Sequence, residues 1–238
     1  MIDALEFPYS TFSTELNEIS NIPSKFWCSG KLCVFSKTEE PFLHFDGDVI
    51  LGDNFNKNIL SKNLIAEYHY ENKFQIYREA LNYLKSGNSN FISTKKINKI
   101  INADNYIYND YNLGIIGGND FSFLNEFALE SIKLVEQNEA AITTSEFSPA
   151  FLNCFIEQFS FYNLVQEKTK FVELCIPEKF DTIYDYQKSI LTQMTTSFSF
   201  IHLHNTYKLN YYTLPEKWLK NYYPKMYEQI NTVMFGKK

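Results

Sequence analysis

The sequence lacks any long apolar run, since no stretch approaches the roughly 18 consecutive apolar residues that would span a bilayer. Residues Met1 to Glu6 show no basic segment followed by an apolar one, which is the pattern of a signal peptide. The 4 cysteines form no C-x-x-C motif and show no spacing typical of a zinc site. We therefore expect a cytoplasmic protein without a transmembrane segment, whose cysteines are reduced and buried.

The chain also lacks a block of basic residues. Its net charge is −6, which makes nucleic acid or an anionic membrane surface a poor candidate for a partner. Lys95, Lys96 and Lys99 lie close together, but a solvated helix face explains them better than a binding site. Hydrophobic residues make up 45% of the 238 residues, which is enough for a sizeable core. This length fits one α/β domain, with or without a helical extension, better than two full domains.

Hydrophobic periodicity predicts strands that alternate with helices. We predict strands at Pro41–Phe45, Leu64–Tyr68, Leu113–Gly118, Phe171–Ile176 and Phe198–Leu203. We predict helices at Pro23–Ser36, Lys73–Lys85, Phe121–Gln137, from Ser148-Pro149 to about Glu167, and at Pro215–Val233. The Asn-, Ser- and Lys-rich residues 86–111 are predicted to be a surface excursion. Such alternation indicates an α/β fold with a mainly parallel or mixed sheet, in which ligands lie beyond the carboxyl ends of strands.

Asp46 and Asp48 give the strongest chemical signal in the chain. They are separated by Gly47 and directly follow an apolar strand, so both carboxylates can reach one hard cation. Mg²⁺ and Mn²⁺ prefer oxygen ligands, and they commonly use one or two carboxylates together with substrate phosphates. A strand-ending turn is the alternative, because Asp and Gly are common turn residues. The tripeptide alone favours that turn.

In its context, an apolar strand followed by Asp-x-Asp and then Val49-Ile50, this segment resembles the metal motif of GT-A glycosyltransferases. The resemblance implies a Rossmann-like mixed sheet flanked by helices. It also implies that Asp46 and Asp48 bind Mn²⁺ or Mg²⁺, and that the ion holds the diphosphate of a nucleotide sugar, most readily a UDP-sugar. The acceptor, whether a glycan, a lipid or a protein, stays open.

The segment from His202 to Lys208 resembles the closing motif of glycogenin-like retaining glycosyltransferases, His-x-x-Gly-x-x-Lys-Pro-Trp. The resemblance implies that His202 is the third metal ligand and that Lys208 contacts the diphosphate. Asn205 replaces the glycine of that motif, and Leu209-Asn210 replaces Pro-Trp. Neutral imidazole can bind Mn²⁺, and an ammonium group offsets phosphate charge.

Asn112 and Gly114 resemble the Asn-x-Gly that lines the sugar pocket of the same enzymes. The resemblance gives them, with the following Gly117 and Gly118, a place in donor binding. A glycine turn before a helix explains these residues equally well.

Two further features of the chain resemble donor-site residues of these enzymes. Glu157-Gln158 resembles the Asp-Gln that faces the transferred sugar, which implies a catalytic role, although such pairs are common on helices. Lys31 lies where these enzymes carry a basic donor contact, and the alternative for it is a solvated surface lysine.

The order of five motifs resembles a group of uncharacterised bacterial proteins assigned to the glycosyltransferases. Those motifs fall at Trp27 to Lys31, His44 to Val49, Asn112 to Asn119, Glu157-Gln158 and His202 to Lys208. Only 45 residues precede Asp46, so against the resemblance we expect a shortened domain, either because the sequence is truncated or because the protein has lost part of its donor site. In this shortened domain, residues 1–22 are a remnant of the nucleotide-binding half, 23–210 the metal- and sugar-binding core, and 211–238 a helical tail. One alternative is a non-catalytic protein of the same fold that binds a glycan or a protein. A metal-dependent phosphohydrolase is a third possibility with less support.

Overall fold

A mixed four-stranded sheet organises the fold in a computed structural model, which describes residues 16, 26–52, 54–72, 108–139, 148–178, 185, 199–203 and 213–236. Its strands are β1 (Phe42–Phe45), β3 (Ile65–Asn72), β4 (Tyr108–Gly118) and β5 (Glu173–Leu174), in the order β1-β4-β3-β5. β4 is antiparallel to β1 and β3, whereas β5 is parallel to β3. A second sheet pairs β2 (Val49–Leu51) with β6 (Phe200–His202) in antiparallel fashion.

Helices pack against the four-stranded sheet. They are α1 (Cys28–Lys37), α2 (Phe121–Gln137) and α3, which comprises Pro149–Cys154, a π-helical segment Phe155–Phe159, and Ser160–Glu167. A short 3-10 helix covers Lys57–Ser61. The main core joins α1, α2 and α3 to β3 and β4, and its fully buried side chains include Leu32, Phe127 and Phe161. Burial of these large apolar side chains supplies the main favourable free energy of folding.

A smaller apolar cluster connects the two sheets. Tyr68 of β3 packs there with Ile201 of β6, and the half-buried Ile50 of β2 lies against them. The two-stranded sheet is therefore held next to β3, which places the end of β6 near the middle of the large sheet.

The register between β3 and β4 contains an irregularity that matters for the site. Ala66 pairs with Ile116 and Tyr68 pairs with Asn112, so three residues of β4 lie opposite the single residue Glu67. Such bulges bend a strand and redirect side chains, and they are frequent beside functional sites.

The predicted α/β class with a mixed sheet is confirmed, and so are the exact bounds of the helix at Phe121–Gln137. Asp120 explains where that helix begins, because its side chain accepts a hydrogen bond from the backbone N–H of Phe123. The predicted helix from Pro149 to Glu167 is present, with the π-helical segment inside it.

Other predicted bounds are wrong. The helix predicted from Pro23 begins at Cys28. β4 extends back to Tyr108, into the predicted surface excursion, and β5 is shorter than predicted. The predicted tail helix is two helices, α4 (Thr213–Tyr222) and α5 (Pro224–Phe235), because the residue before a proline is disfavoured in helical geometry and Tyr223 adopts φ −135° and ψ 58°. The helix predicted at Lys73–Lys85 lies outside the described residues.

No described helix combines the length and the apolar character that crossing a bilayer requires.

Candidate metal centre

Asp46 and Asp48 lie in the turn between β1 and β2, and the backbone of this turn is tied to both sheets. The N–H of Asp46 donates to the carbonyl oxygen of Gly114 in β4 at 2.8 Å. The N–H of Leu203, directly after β6, donates to the carbonyl oxygen of Asp48 at 3.0 Å. These hydrogen bonds fix the backbone positions of Asp46 and Asp48, so the turn that carries the two carboxylates is held in place by both sheets.

His202 reaches this turn because β6 pairs with β2, and Val49 is its cross-strand partner. Its Nε2 lies 3.4 Å from Oδ1 of Asp48. One ligand atom from each of Asp46, Asp48 and His202 lies within 4.8 Å of the other two. The structure therefore brings together the three residues that the sequence predicted as metal ligands. Two carboxylates and one imidazole form a suitable donor set for a divalent cation.

Glu67 is a fourth member of the site that the sequence prediction missed. Its carboxylate oxygen Oε2 lies 2.7 Å from Nδ1 of His202, and its side chain is fully buried. A buried carboxylate is costly unless it is paired or hydrogen-bonded. A sequence signal was available, because Glu67 is the one acidic residue inside the predicted apolar strand Leu64–Tyr68.

The carboxylates of Glu67 and Asp48 determine the charge of His202. Burial alone would lower its pKa, but the charge of Glu67 and the hydrogen bonds to Asp48 and Glu67 outweigh burial and raise the pKa to about 9. At neutral pH the metal-free site therefore holds an imidazolium. A cation that binds Nε2 must displace a proton, so metal affinity rises with pH in this range.

We expect the metal-free protein to lose stability as the pH rises. The pKa of His202 is about 9 in the folded state and about 6.5 in the unfolded state, so its contribution is fully present below pH 6.5 and is lost as the pH rises through 9. Between about pH 6.5 and 8.5 the loss should be about 2 kcal/mol. Urea unfolding in the presence of EDTA measures it, with His202→Gln as the control. An equal pH dependence in the variant would contradict the assignment to His202.

Lys31 of α1 forms the centre of a buried ionic network beside the candidate metal ligands. Its ammonium nitrogen lies 2.9 Å from Oδ1 of Asp46 and 2.5 Å from Oε1 of Glu157, and it donates to the carbonyl oxygen of Leu113 at 3.3 Å. Its side chain is only 11% exposed, so the alternative of a solvated surface lysine is wrong. Although burial disfavours the charge, Glu157 and Asp46 raise the pKa of Lys31 above its ordinary value.

The charge state of Asp46 follows from the same network. Burial opposes its ionisation, but a hydrogen bond from Nε2 of His44 at 3.0 Å and the nearby Lys31 charge outweigh burial and lower the pKa of Asp46. Asp46 is therefore ionised at neutral pH, as a metal ligand must be.

Glu157 lies on the π-helical segment of α3 with its carboxylate buried against Lys31. Burial raises its pKa, and the Lys31 charge only partly offsets this effect. Gln158 is the next residue and is half-buried. π-helical segments are frequent at functional sites. A catalytic role for Glu157 and Gln158 stays a prediction.

Gly114 lies in the bulge opposite Glu67, and Asn112 flanks this bulge as the cross-strand partner of Tyr68. The side-chain oxygen of Asn112 accepts a hydrogen bond from the N–H of Gly114 at 2.9 Å. A Cβ atom at Gly114 would lie 2.2 Å from Cε1 of His202 and 2.5 Å from Oε2 of Glu67. The packing of the His202–Glu67 pair is thus a sufficient reason for glycine at position 114.

Gly117 and Gly118 also have structural reasons to be glycine. A Cβ atom at Gly117 would lie 2.1 Å from the carbonyl oxygen of Phe42 in β1. Gly118 has φ +129°, a backbone angle that residues other than glycine rarely adopt, and it packs on the backbone of Asn63. Their predicted contact with a donor stays a prediction. Lys208, predicted to contact the diphosphate, lies outside the described residues.

We expect Gly114→Ala to weaken both the fold and the metal site. The added methyl group must push the His202 ring or Glu67 aside, and overpacking of this kind typically costs about 1–3 kcal/mol. Gly30→Ala is a matched control, because a Cβ atom at this position in α1 meets nothing within 4 Å and should stabilise the helix by about 0.5–1 kcal/mol. Thermal unfolding and Mn²⁺ titration of both variants provide the test. Unchanged Mn²⁺ affinity in Gly114→Ala would show that the position of His202 does not depend on this contact.

Comparison with models of protein families gives a match to most of the chain. The model of a protein family described as "Family of unknown function (DUF6734)" matches residues 1–233. Searches of curated proteins and of solved structures found no match.

Proposed function

We propose a function for this chain, which belongs to the DUF6734 family, from the geometry of its metal-ligand residues. The chain is a glycosyltransferase that transfers a hexose from a nucleotide-diphosphate sugar, most readily a UDP-sugar, to an acceptor. Asp46, Asp48 and His202 bind the divalent cation on which transfer depends. The convergence of these three side chains, from two distant parts of the sequence, is the observation that carries the proposal.

The donor set fits a catalytic metal rather than a purely structural one. Three protein ligands leave coordination positions for phosphate oxygens, because Mn²⁺ and Mg²⁺ typically accept six ligands and combine few carboxylates with substrate phosphates. When bound, such an ion acts as a Lewis acid on the diphosphate leaving group. The resemblance of the Asp-x-Asp and closing motifs to GT-A enzymes supports a nucleotide sugar as the donor.

The imidazole ligand favours Mn²⁺ over Mg²⁺. Mg²⁺ takes mainly oxygen ligands, whereas Mn²⁺ and later divalent metals accept nitrogen more readily. Glu67 behind His202 strengthens this preference, because a hydrogen-bonded carboxylate makes an imidazole more basic.

The buried network supports a specific role for Lys31 in this proposal. Its ammonium group already contacts Asp46 and Glu157, so its first effect is to balance carboxylate charge and keep Asp46 ionised beside the cation. The same positive charge, with that of Lys208, would stabilise negative charge that develops on the phosphate. Asn112, Gly114 and Gln158 position the sugar in this proposal, so that attack occurs within a pre-oriented pair.

Isothermal titration calorimetry of the chain with UDP tests this function. We expect UDP to bind in the presence of Mn²⁺, more weakly with Mg²⁺ and not with EDTA, and we expect Mn²⁺-dependent hydrolysis of a UDP-sugar when no acceptor is present. If UDP fails to bind under every metal condition, the non-catalytic glycan- or protein-binding alternative gains support. If Mn²⁺ binds without UDP but supports hydrolysis of simple phosphate esters, the phosphohydrolase alternative is favoured.

A further inference from the structure

Glu67 is placed where it can control the orientation of His202. It is 0% exposed and lies opposite the three-residue bulge of β4, and its carboxylate contacts His202 of β6. Its Oε2 lies 2.7 Å from Nδ1 of His202, a normal distance for a charge-assisted hydrogen bond.

The other ring nitrogen of His202 faces the acidic turn. Nε2 lies 3.4 Å from Oδ1 of Asp48, so the imidazole spans the space between a buried carboxylate and the candidate metal ligands. Gly114 packs against the ring, because any side chain there would overlap Cε1 and Nδ1 of His202. The ring is therefore restrained by a hydrogen bond at one edge and by backbone packing against it.

We propose that Glu67 is a positioning residue for the metal centre: it keeps a proton on Nδ1 of His202, so that the lone pair of Nε2 faces the cation. This inference rests on the proposed metal site and extends it to a residue outside the ligand set. A hydrogen-bonded carboxylate of this kind orients a metal-binding histidine, and its loss typically lowers metal affinity about 10- to 100-fold.

Glu67 should affect metal binding indirectly, through His202, and not as a ligand of the cation. Glu67→Gln keeps the size of the side chain and a hydrogen-bond acceptor but removes the negative charge. If Glu67 acts through His202, its substitution should lower Mn²⁺ affinity in the wild-type background and have little further effect once His202 is alanine. If Glu67 binds the cation directly, the two substitutions should lower the affinity independently.

The experiment combines a double-substitution cycle with a spectroscopic measurement on the full chain. Mn²⁺ affinity is measured by the loss of the free Mn²⁺ electron paramagnetic resonance signal in wild type, Glu67→Gln, His202→Ala and the double variant. Glu173→Gln is the matched control, because this glutamate lies in the neighbouring strand β5 and pairs with Lys62 at the surface. We expect a 10- to 100-fold loss for Glu67→Gln, no loss for the control, and strong non-additivity with His202→Ala.

Nitrogen-15 NMR of histidine side chains provides a readout that needs neither metal nor a folded variant. In metal-free wild type, at a pH high enough to remove one proton from the His202 imidazolium, we expect the remaining proton to lie on Nδ1 and to exchange slowly with solvent. An Nδ1 without a proton overturns the inference, and so does an unchanged or additive Mn²⁺ effect of Glu67→Gln. If wild type binds no Mn²⁺ at all, the proposed metal site fails and the inference fails with it. A Glu67→Gln variant with wild-type Mn²⁺ affinity overturns the inference alone.

Discussion

Asp48→Asn is expected to reduce Mn²⁺ affinity at least about 100-fold and to abolish metal-dependent turnover. Loss of a partner outside the ligand set already costs about 10- to 100-fold, and Asp48 is proposed to bind the cation itself. The fold should survive, because Asn has nearly the same shape and the backbone oxygen of Asp48 still accepts the N–H of Leu203. Mn²⁺ titration and hydrolysis of a UDP-sugar measure the two effects.

The controls for this variant separate ligand loss from a change in overall charge. Asp185→Asn removes the same charge from an exposed position and should leave both measurements at the wild-type level. Circular dichroism and a melting curve establish that Asp48→Asn is folded. Equal turnover in Asp48→Asn and wild type would remove Asp48 from the metal site.

The part of the site that could be predicted from sequence was the part encoded locally. Asp46 and Asp48 are separated only by Gly47 and follow an apolar strand, so their spacing indicated that both carboxylates could reach one ion. His202 was predicted only because its spacing to Lys208 resembles a known motif. Its true route to the turn is the pairing of β2 with β6, which joins Val49 to His202 across more than half the chain. No local pattern encodes such a register.

The missed features depend on contacts between distant segments. Glu67 contacts His202 of β6 and lies opposite a bulge in β4, and neither feature is visible in the strand pattern around Glu67. Gly114 was interpreted as lining a sugar pocket, whereas the structure shows it packed against His202. The sequence did not decide whether Lys31 contacts the donor or lies at the surface, because its burial depends on where α3 places Glu157. Sequence therefore identified the carboxylates and the imidazole of the candidate metal site, and the fold revealed the residues that contact them.

Lys31→Met is expected to destabilise the protein by about 3–5 kcal/mol, because removal of one member of a buried ion pair leaves an uncompensated charge. Glu157 is the residue left without a partner, since its side chain is only 7% exposed and Oε1 lies 2.5 Å from the Lys31 ammonium nitrogen. The free-energy cost of leaving the Asp46 charge without Lys31 should be smaller, because Asp46 is more exposed and keeps the hydrogen bond from His44. Urea unfolding measures the free-energy change.

A second substitution tests whether this destabilisation comes from the buried charge of Glu157 or from lost packing around Lys31. The double variant Lys31→Met/Glu157→Leu removes both charges, and buried ion pairs can often be replaced by apolar residues with little loss of stability. We therefore expect the double variant to be more stable than Lys31→Met alone. Free-energy losses that simply add would contradict the coupling between Lys31 and Glu157. Coupling would instead show that the ion pair between Lys31 and Glu157 stabilises the packing of α1 against α3. The position of Asp46, which also contacts Lys31, would then depend on this ion pair.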